Sequence, residues 1–290
     1  MFQRCLKTLA ALAFSAGFCQ AQISATLKLE KNEHLSGEPV IAVVTVTNYS
    51  GRDLVFQSDG RMDWLSFIVK SSSGTPVNPK GKGGFGPMKI KAGQTLAREV
   101  DLSKYFMLGQ TGNFNAVAVI STPKDPNGSG TTTNKVFFSQ SSGRPYWSQK
   151  VGVSTGGNRT REYRLIFFSG DSKTRLYTQI SDGTSGQLVT TFPLGDVLMI
   201  RQPLVAVDRQ QRMHVLFLAT PTMWVHYSIN TDGKVVERQI HQRAAMGDPQ
   251  LLTFGDGTVK VGNSIPYDAK AAAEANSKTR KASDRPAITY

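Results

Sequence analysis

The sequence predicts an all-β protein made of antiparallel sheets. Its apolar segments are short, rich in β-branched and aromatic residues, and separated by turns that contain Gly, Asn or Asp, which is the pattern of strands. Ala25, Leu27 and Leu29 alternate with polar residues, as on a strand with one buried face. Helical periodicity is almost absent. With 290 residues, the chain is long enough for two domains, and we expect a sandwich followed by a second antiparallel β domain.

Residues 1–21 predict a signal peptide that is not part of the working fold. Two basic residues precede an apolar run over 9–18, which has the length of a signal-peptide core and is too short to span a membrane. Small residues at Cys19 and Ala21 predict cleavage after Ala21 and export, so that the protein is secreted or periplasmic. The alternative is a lipid anchor on Cys19, but Phe18 precedes it where that processing requires a small residue.

The cysteines and the charge restrict the chemistry of the exported chain. Cys5 and Cys19 both lie in the predicted leader, so the mature chain is expected to have neither a disulfide nor a catalytic thiolate. Removal of the two basic leader residues lowers the net charge from +13 by two, to +11. This surplus suits anionic partners, but the basic residues are scattered, which favours solubility as their role. No later stretch is apolar enough to span a membrane. An exported protein of this size without cysteines favours a bacterial source.

Residues 22–140 predict a β-sandwich of about seven strands. The strand segments, with their turns, are ISATLKLE (23–30), GEPVIAVVTVTNYS (37–50), DWLSFIVKSSSGTPV (63–77), IKAGQTLAREVDLSKYFML (90–108), GNFNAVAVIS (112–121) and KVFFSQ (135–140). Their number and spacing are typical of a sandwich.

This half resembles the immunoglobulin-like accessory domains of bacterial exported proteins and the sandwich domains that precede some secreted proteases. The resemblance is carried by SGEPV (36–40) with TNYSGRDL (47–54), by WLSFIVKSSSGTPV (64–77), and by AGQTLAREVDLSKYFMLGQTGNF (92–114), in which a strand begins Gly112-Asn113-Phe114. It implies a spacer or binding module rather than catalysis.

Residues 160–265 contain an imperfect internal repeat. YRLIFF (163–168) corresponds to HVLFLA (214–219), and LYTQISDG (176–183) corresponds to VHYSINTDG (225–233). The offset of about 50 residues lies in the range of propeller blades, which the segment resembles. Two to three blade-like units fit, whereas a closed propeller needs about four or more, so the sheet edges must be covered in another way.

Two further segments are predicted to lie outside the domains. Residues 141–159 are rich in Gly and Ser and predict a linker. Residues 266–290 contain few large apolar side chains and predict a disordered basic tail.

Two histidines flank an apolar hairpin, MHVLFLATPTMWVHY (213–227). A three-residue loop over 220–222 would place His214 and His226 diagonally adjacent on one face, whereas a four-residue loop would place them on opposite faces. A metal ion would need a third ligand, and Glu237 and His241 in the next strand show no obvious convergence on the pair. We therefore expect half-buried polar side chains on a sheet with one wet face, and neither a metal ion nor another cofactor.

Three residues of that hairpin remain candidates for ligand contact. They are His214, Trp224 and His226, with Trp224 the one best suited to stack on a sugar ring.

A glycine-rich loop forms the most basic local stretch. GKGGFG (81–86) matches G-x-G-x-x-G, but Pro87 follows and no helix does, so a mobile loop is expected rather than a phosphate site. The surrounding lysines are the candidate anion-binding residues, and they are Lys80, Lys82, Lys89 and Lys91.

These patterns favour a non-enzymatic exported binding or scaffold protein of the bacterial cell envelope. The sequence contains no Gly-x-Ser-x-Gly nucleophile motif, and its spacing selects no pair of carboxylates, so no catalytic residue is assigned. Two alternatives stay open: a secreted hydrolase or hydrolase accessory protein acting on carbohydrate or peptide, and a surface protein that binds an anionic polymer. The partner is expected among anionic envelope polymers, carbohydrates and other envelope proteins.

Overall fold

A computed structural model describes residues 23–59, 62–81, 83–121, 130–153, 159–170 and 173–268. The predicted signal peptide, its cleavage site at Ala21 and both cysteines lie outside these ranges. The chain is all-β, as the sequence predicts, and its strands form small antiparallel sheets. It divides into two compact units. The first comprises the chain up to His34 together with Pro39–Ser141, and the second comprises Leu35–Glu38 together with the chain from Ser142 onward.

The strands of the first unit alternate with short turns along the chain. They are β1 (Ile23–Leu29), β2 (Glu33–Leu35, which ends in the short segment assigned to the second unit), β3 (Ile41–Asn48), β4 (Leu54–Phe56), β5 (Leu65–Ser71), β6 (Met88–Ile90), β7 (Thr95–Asp101), β8 (Gly112–Ile120), β9 (Thr131–Thr132) and β10 (Val136–Ser141). One helical turn, α1 (Leu102–Tyr105), follows β7.

Two sheets of the first unit share one apolar core. The first has the order β1-β3-β7, and the second has the order β2-β10-β8-β5, with β9 beside β8, while β4 and β6 pair separately. In β3 every second residue is buried, as a strand with one core-facing side requires. Val44 and Val46 of the first sheet belong to the same cluster as Leu65 and Ala116 of the second.

The strands of the second unit form two larger sheets and a hairpin. They are β11 (Arg144–Gly152), β12 (Thr160–Phe168), β13 (Arg175–Asp182), β14 (Leu188–Asp196), β15 (Leu204–Val207), β16 (Met213–Thr220), β17 (Met223–Ile229), β18 (Val235–Arg243), β19 (Gln250–Thr253), β20 (Val259–Gly262) and β21 (Ser264–Pro266). The sheet orders are β11-β12-β13-β14, β15-β16-β17-β18-β21 and β19-β20.

The two repeated sequence segments occupy equivalent places in these two sheets. YRLIFF lies in β12 and HVLFLA in β16, each the second strand of its sheet. Tyr163 and Leu165 of the first sheet pack in one cluster with Val215 and Phe217 of the second, so the two sheets share a core. The third predicted unit is represented by the hairpin of β19 and β20.

The prediction of a linker over 141–159 is wrong for most of its length. β11 occupies Arg144–Gly152 and pairs with β12 along its length, with a bulge near Pro145. Val151 is buried and Trp147 packs against the same cluster. The segment is rich in Gly and Ser, so its composition did not predict a strand. Pairing with β12 brings Val151 and Trp147 into the core.

The chain is also ordered further toward its end than the sequence predicts. β21 extends to Pro266, and the backbone N–H of Tyr267 donates to the carbonyl of Ile240 at 2.8 Å. The rest of the predicted tail, 269–290, lies outside the described residues. Among the residues that are described, no helix is long and apolar enough to cross a membrane.

Candidate functional site

An apolar cleft of about 360 Å³ lies along β5 in the first unit. This volume falls in the range of small-ligand sites. Aromatic rings of Phe67, Phe85, Tyr105 and Phe106 contribute to its walls, together with aliphatic and proline side chains. The other lining residues are Asp63, Leu65, Ser66, Ile68, Val69, Pro76, Val77, Pro79, Gly81 and Gly83.

The loop that faces β5 across the cleft is held at three places. The backbone N–H of Val77 donates to the carbonyl of Val69 at 2.9 Å, which joins the start of the loop to the strand. The indole N–H of Trp64 donates to the carbonyls of Phe85 and Gly86, each at 3.1 Å. The ring centroids of Phe85 and Tyr105 are 5.1 Å apart. These contacts tie both ends of the glycine-rich loop, where the sequence predicts a mobile one.

β5 is an edge strand, and part of its outer edge faces the cleft without a backbone partner. Beyond that edge, Ser71 donates to Thr75 and Val69 accepts from Val77. Backbone groups alternate in direction along a strand, so the N–H and C=O of Leu65 and Phe67 point to the same side. Within the described part of the chain, neither residue makes a backbone hydrogen bond on this side. Leu65 is fully buried, however, so of these two residues only the partly exposed Phe67 can present backbone groups to the cleft.

The predicted anion-binding lysines have separate surroundings. The ammonium of Lys80 donates to the carbonyl of Ser103 at 2.6 Å, and the ammonium of Lys89 lies 3.4 Å from the carboxylate of Asp53. Lys91 is exposed, and Lys82 lies outside the described residues. Two of these cations thus already have partners within the unit, and anion binding at this loop stays a prediction.

The histidines form a buried row across the second sheet of the second unit. The ring atoms Nδ1 of His214 and Nε2 of His226 are 3.1 Å apart, and the two rings are stacked with centroids 5.3 Å apart. His241 of β18 lies edge-on to His226 at 6.1 Å, and its Nδ1 is 3.1 Å from the hydroxyl of Ser264 in β21. At the other end, Nε2 of His214 is 3.1 Å from Oδ2 of Asp208.

Hairpin register explains why His214 and His226 meet. His214 opposes Ser228 and Leu216 opposes His226, so the two histidines are diagonal neighbours on one face. This is the register of the predicted three-residue loop, but Ala219 is bulged out, and Thr220 opposes Met223.

The expectation of half-buried histidines on a sheet with one wet face is wrong. His214 and His226 are each 3% exposed. Their face of the sheet also carries Leu216, Leu218 and Trp224, which pack with Leu251 of β19 and Val261 of β20, while the opposite face packs on the first sheet. His241 is also 3% exposed and joins the row, although its sequence position showed no convergence.

Burial determines the protonation of the row. Burial, assisted by the proximity of His214 and His241, lowers the pKa of His226 from 6.5 to about 4, and burial also lowers the pKa of His241. Burial acts to raise the pKa of Asp208, but hydrogen bonds from His214 and Arg212 outweigh it, so this pKa lies below its ordinary value. His226 and His241 are therefore neutral at pH 7.

The hydrogen-bond geometry assigns one direction of proton donation. Because ionised Asp208 can only accept, Nε2–H of His214 donates to it, and Nδ1 of His214 then accepts from Nε2–H of His226. Asp208 also accepts from the backbone N–H and the Nε–H of Arg212, at 2.8 and 2.6 Å. A carboxylate and two imidazoles in series can relay a proton, but these side chains do not line the cavities along β5 or beside Trp224.

Sequence reasoning identified part of this row and missed the rest. Asp208 had one available signal, the turn Asp208–Arg212, whose first and last residues form an ion pair four positions apart and which leads directly into His214. Trp224, a predicted ligand contact, is 4% exposed, so its indole ring has no face open for stacking on a sugar.

Comparisons with known proteins find no relationship that identifies the chain. No protein-family model matches it, and no curated protein matches it. A solved structure, that of the sporulation control protein Spo0M from Bacillus subtilis, matches with 12% sequence identity and a TM-score of 0.26, covering 60% of this chain and 91% of Spo0M. A likeness of this degree carries no argument about function.

Proposed function

We propose that the protein is a non-enzymatic, exported binding protein of the bacterial cell envelope, and that the cleft along β5 is its binding site. The observation that carries the proposal is the cavity of about 360 Å³, whose walls include four aromatic rings. Ligand sites are typically mostly apolar with a few placed polar groups. The buried histidine row has the opposite character, since its polar groups are largely sealed from solvent.

We further propose that the first unit is an immunoglobulin-like sandwich. Its two sheet orders, β1-β3-β7 and β10-β8-β5, correspond to the A-B-E and G-F-C arrangements of that fold, which supports the proposal. Trp64, buried at the start of the strand equivalent to C, is a second supporting feature. Such domains commonly bind through loops and sheet edges.

For the second unit we propose two blade-like sheets and a partial third. The supporting observation is that β11–β14 and β15–β18 each form a four-stranded antiparallel meander with the same strand order. In this proposal the second unit is a scaffold, and the binding site lies in the first unit.

Binding of an apolar fluorophore tests the proposed site. We expect 1-anilinonaphthalene-8-sulfonate to bind the folded mature chain, and Gly81→Phe to weaken this binding at least about tenfold, because Gly81 lines the cleft and an added Cβ there meets no atom within 4 Å. Gly84→Phe is the matched control, since Gly84 lies in the same loop, also has open space, and does not line the cleft. Equal binding by all three proteins, or no binding, would contradict the proposal.

A further inference from the structure

We propose that the histidine row and the hairpin of β19 and β20 form a pH-sensitive switch, in which acid releases the hairpin from its sheet while the two large sheets of the second unit stay folded. The basis is the juxtaposition of three buried imidazoles with a lightly held element that packs on their face of the sheet. The inference does not depend on the proposed function, because the residues it concerns all belong to the second unit.

The hairpin packs on the immediate neighbours of the histidines. It contributes Leu251 and Val261 to the cluster that contains Leu216 and Trp224. Leu216 is directly opposite His226 in the strand pairing, and Trp224 is directly opposite His241. Residues directly opposite each other on paired strands lie on the same face of a sheet. Release of the hairpin therefore uncovers the face on which the histidines lie.

The hairpin is held to the rest of the unit less firmly than the sheets are held to each other. Its two strands pair with one another as a separate two-stranded sheet, and of their residues only Val259 is buried. On the opposite face of the histidine sheet, by contrast, Val215 and Phe217 are fully buried against the first sheet of the unit. Elements that bury few side chains open at a lower free energy than the core does. The hairpin is therefore the element we expect to open first.

Repulsion between buried imidazoles gives the switch its direction. The ring centroid of His226 lies 5.3 Å from that of His214 and 6.1 Å from that of His241, and each of the three side chains is 3% exposed. Protons on two of these rings would place like charges close together and away from water. Water that reaches the rings after the hairpin is released stabilises the charged forms, so protonation favours the open state.

The nearest charged groups do not reverse this direction. Asp208, at the His214 end of the row, accepts from Arg212, and its pKa lies below its ordinary value, so it stays ionised in mild acid. Proximity of Glu237 acts to raise the pKa of His241, but burial outweighs it and this pKa is lowered. His226 and His241 therefore both gain affinity for protons when the row is exposed to water.

The other elements around the row present neutral groups to it. β21 contributes the hydroxyl of Ser264, and the hairpin contributes the aliphatic side chains of its cluster. On the opposite face, burial raises the pKa of Tyr163, so its hydroxyl stays neutral. The charged residues Asp256 and Lys260 of the hairpin are exposed. The histidines are therefore the groups that we expect to drive the response to mild acid.

Hydrogen exchange at pH 7.5 and pH 5 tests the inference. The N–H of Phe254 donates to the carbonyl of Thr258, so Leu252 and Lys260 form the next hydrogen-bonded pair of the hairpin and their amides report on its opening. At pH 7.5 we expect these amides to be at least about tenfold less protected than the amides that pair β12 with β13.

The pH dependence of this protection shows whether opening exposes the histidines. Burial holds the pKa of His226 at about 4, against 6.5 in water, so opening is favoured at least about 30-fold more at pH 5 than at pH 7.5. Protection of Leu252 and Lys260 should fall by this factor. In His226→Gln the fall should be at least about tenfold smaller, because the variant lacks the main titrating ring.

Gly257→Ala is the matched control for the hairpin itself. It strains the turn that bonds to Arg209 but changes no titratable group, so it should lower protection of the hairpin by the same factor at both pH values. The original chain and this variant still test the switch if His226→Gln does not fold.

Two results would overturn the inference. Equal protection of the hairpin and of β12–β13 at both pH values would show that the hairpin opens only when the whole unit unfolds. Hairpin protection that does not change with pH would show that its opening leaves the histidines buried. Neither result bears on fluorophore binding in the first unit, so the proposed function is tested separately.

Discussion

His226 illustrates how a single side chain depends on its surroundings for its charge. Its ring lies between His214 and His241, and Nδ1 has no hydrogen-bond partner among the described residues. A proton on this ring would be buried close to two other imidazoles, which is why its pKa is lowered to about 4. The neutral form is therefore part of the folded state, and acid must weaken the fold at this residue.

We expect His226→Gln to reduce the acid sensitivity of the protein. Unfolded His226 takes up a proton near pH 6.5, whereas folded His226 does so only near pH 4, so its contribution is present above pH 6.5 and is lost as the pH falls to about 4. The loss amounts to about 3 kcal/mol. Urea unfolding at pH 7.5 and pH 4 should show that the free energy of unfolding falls by about 3 kcal/mol less in the variant than in the original chain. Equal losses in the two proteins would contradict the lowered pKa of His226.

The hairpin of β19 and β20 is the element that seals the histidine row. Leu251 and Val261 pack against Leu216, Leu218 and Trp224, which lie on the same face of the sheet as the histidines. The hairpin turn is anchored by a hydrogen bond from the N–H of Arg209 to the carbonyl of Gly257, at 2.9 Å. Gly257 has a φ of +78°, and a Cβ on it would lie 2.9 Å from the Cβ of Arg209. Both conformation and space therefore demand glycine at this position.

We expect Gly257→Ala to lower the free energy of unfolding by about 1–3 kcal/mol, because alanine is strained at positive φ and collides with Arg209. Gly255→Ala is the matched control, since Gly255 lies two residues earlier in the same turn, has no positive φ of this kind and has open space around its Cβ position. The control should stay within about 0.5 kcal/mol of the original chain in urea unfolding. Similar effects of the two substitutions would show that the turn does not anchor the hairpin in this way.

At the scale of the whole molecule, the apolar cleft and the histidine row lie in different compact units. The first unit holds an open apolar cleft, and the second holds a polar row that is largely sealed from solvent. Stability in both units comes from apolar sheet faces packed together, since each of the large clusters joins residues from two sheets. The residues that the structure describes contain no cysteine, so no disulfide joins them.

We expect the exported protein to begin at Gln22. When the full chain is produced in a bacterial host with its own leader, intact-mass measurement of the protein outside the cytoplasm should correspond to residues 22–290. Ala21→Leu should block processing, because signal peptidase requires a small residue before the cut. A lipidated product with a mass that begins at Cys19 would support the alternative anchor, and an unprocessed chain in the cytoplasm would contradict export.

The local pattern of apolar and polar residues predicts many of the strands, but it does not predict the candidate sites. Alternation of apolar and polar residues in β1 and β3 is visible in the sequence, and so is the recurrence of YRLIFF as HVLFLA. By contrast, β11 looked like a linker because its core contacts, Val151 and Trp147, are few and are separated by polar residues. β11 forms because it pairs with β12, and its own composition does not indicate that pairing.

The sequence by itself determined that this chain folds as antiparallel β-structure, since side-chain alternation and turn residues act over a few neighbouring positions. Tertiary structure alone decided which strand edge stays open and which sheet face is sealed. Phe67 lines a cleft because the chain after Val77 leaves β5, and His214 and His226 lie on the sheet face against which Leu251 and Val261 pack. Both outcomes depend on contacts between residues distant in the chain, and alternation along a single strand carries no information about them.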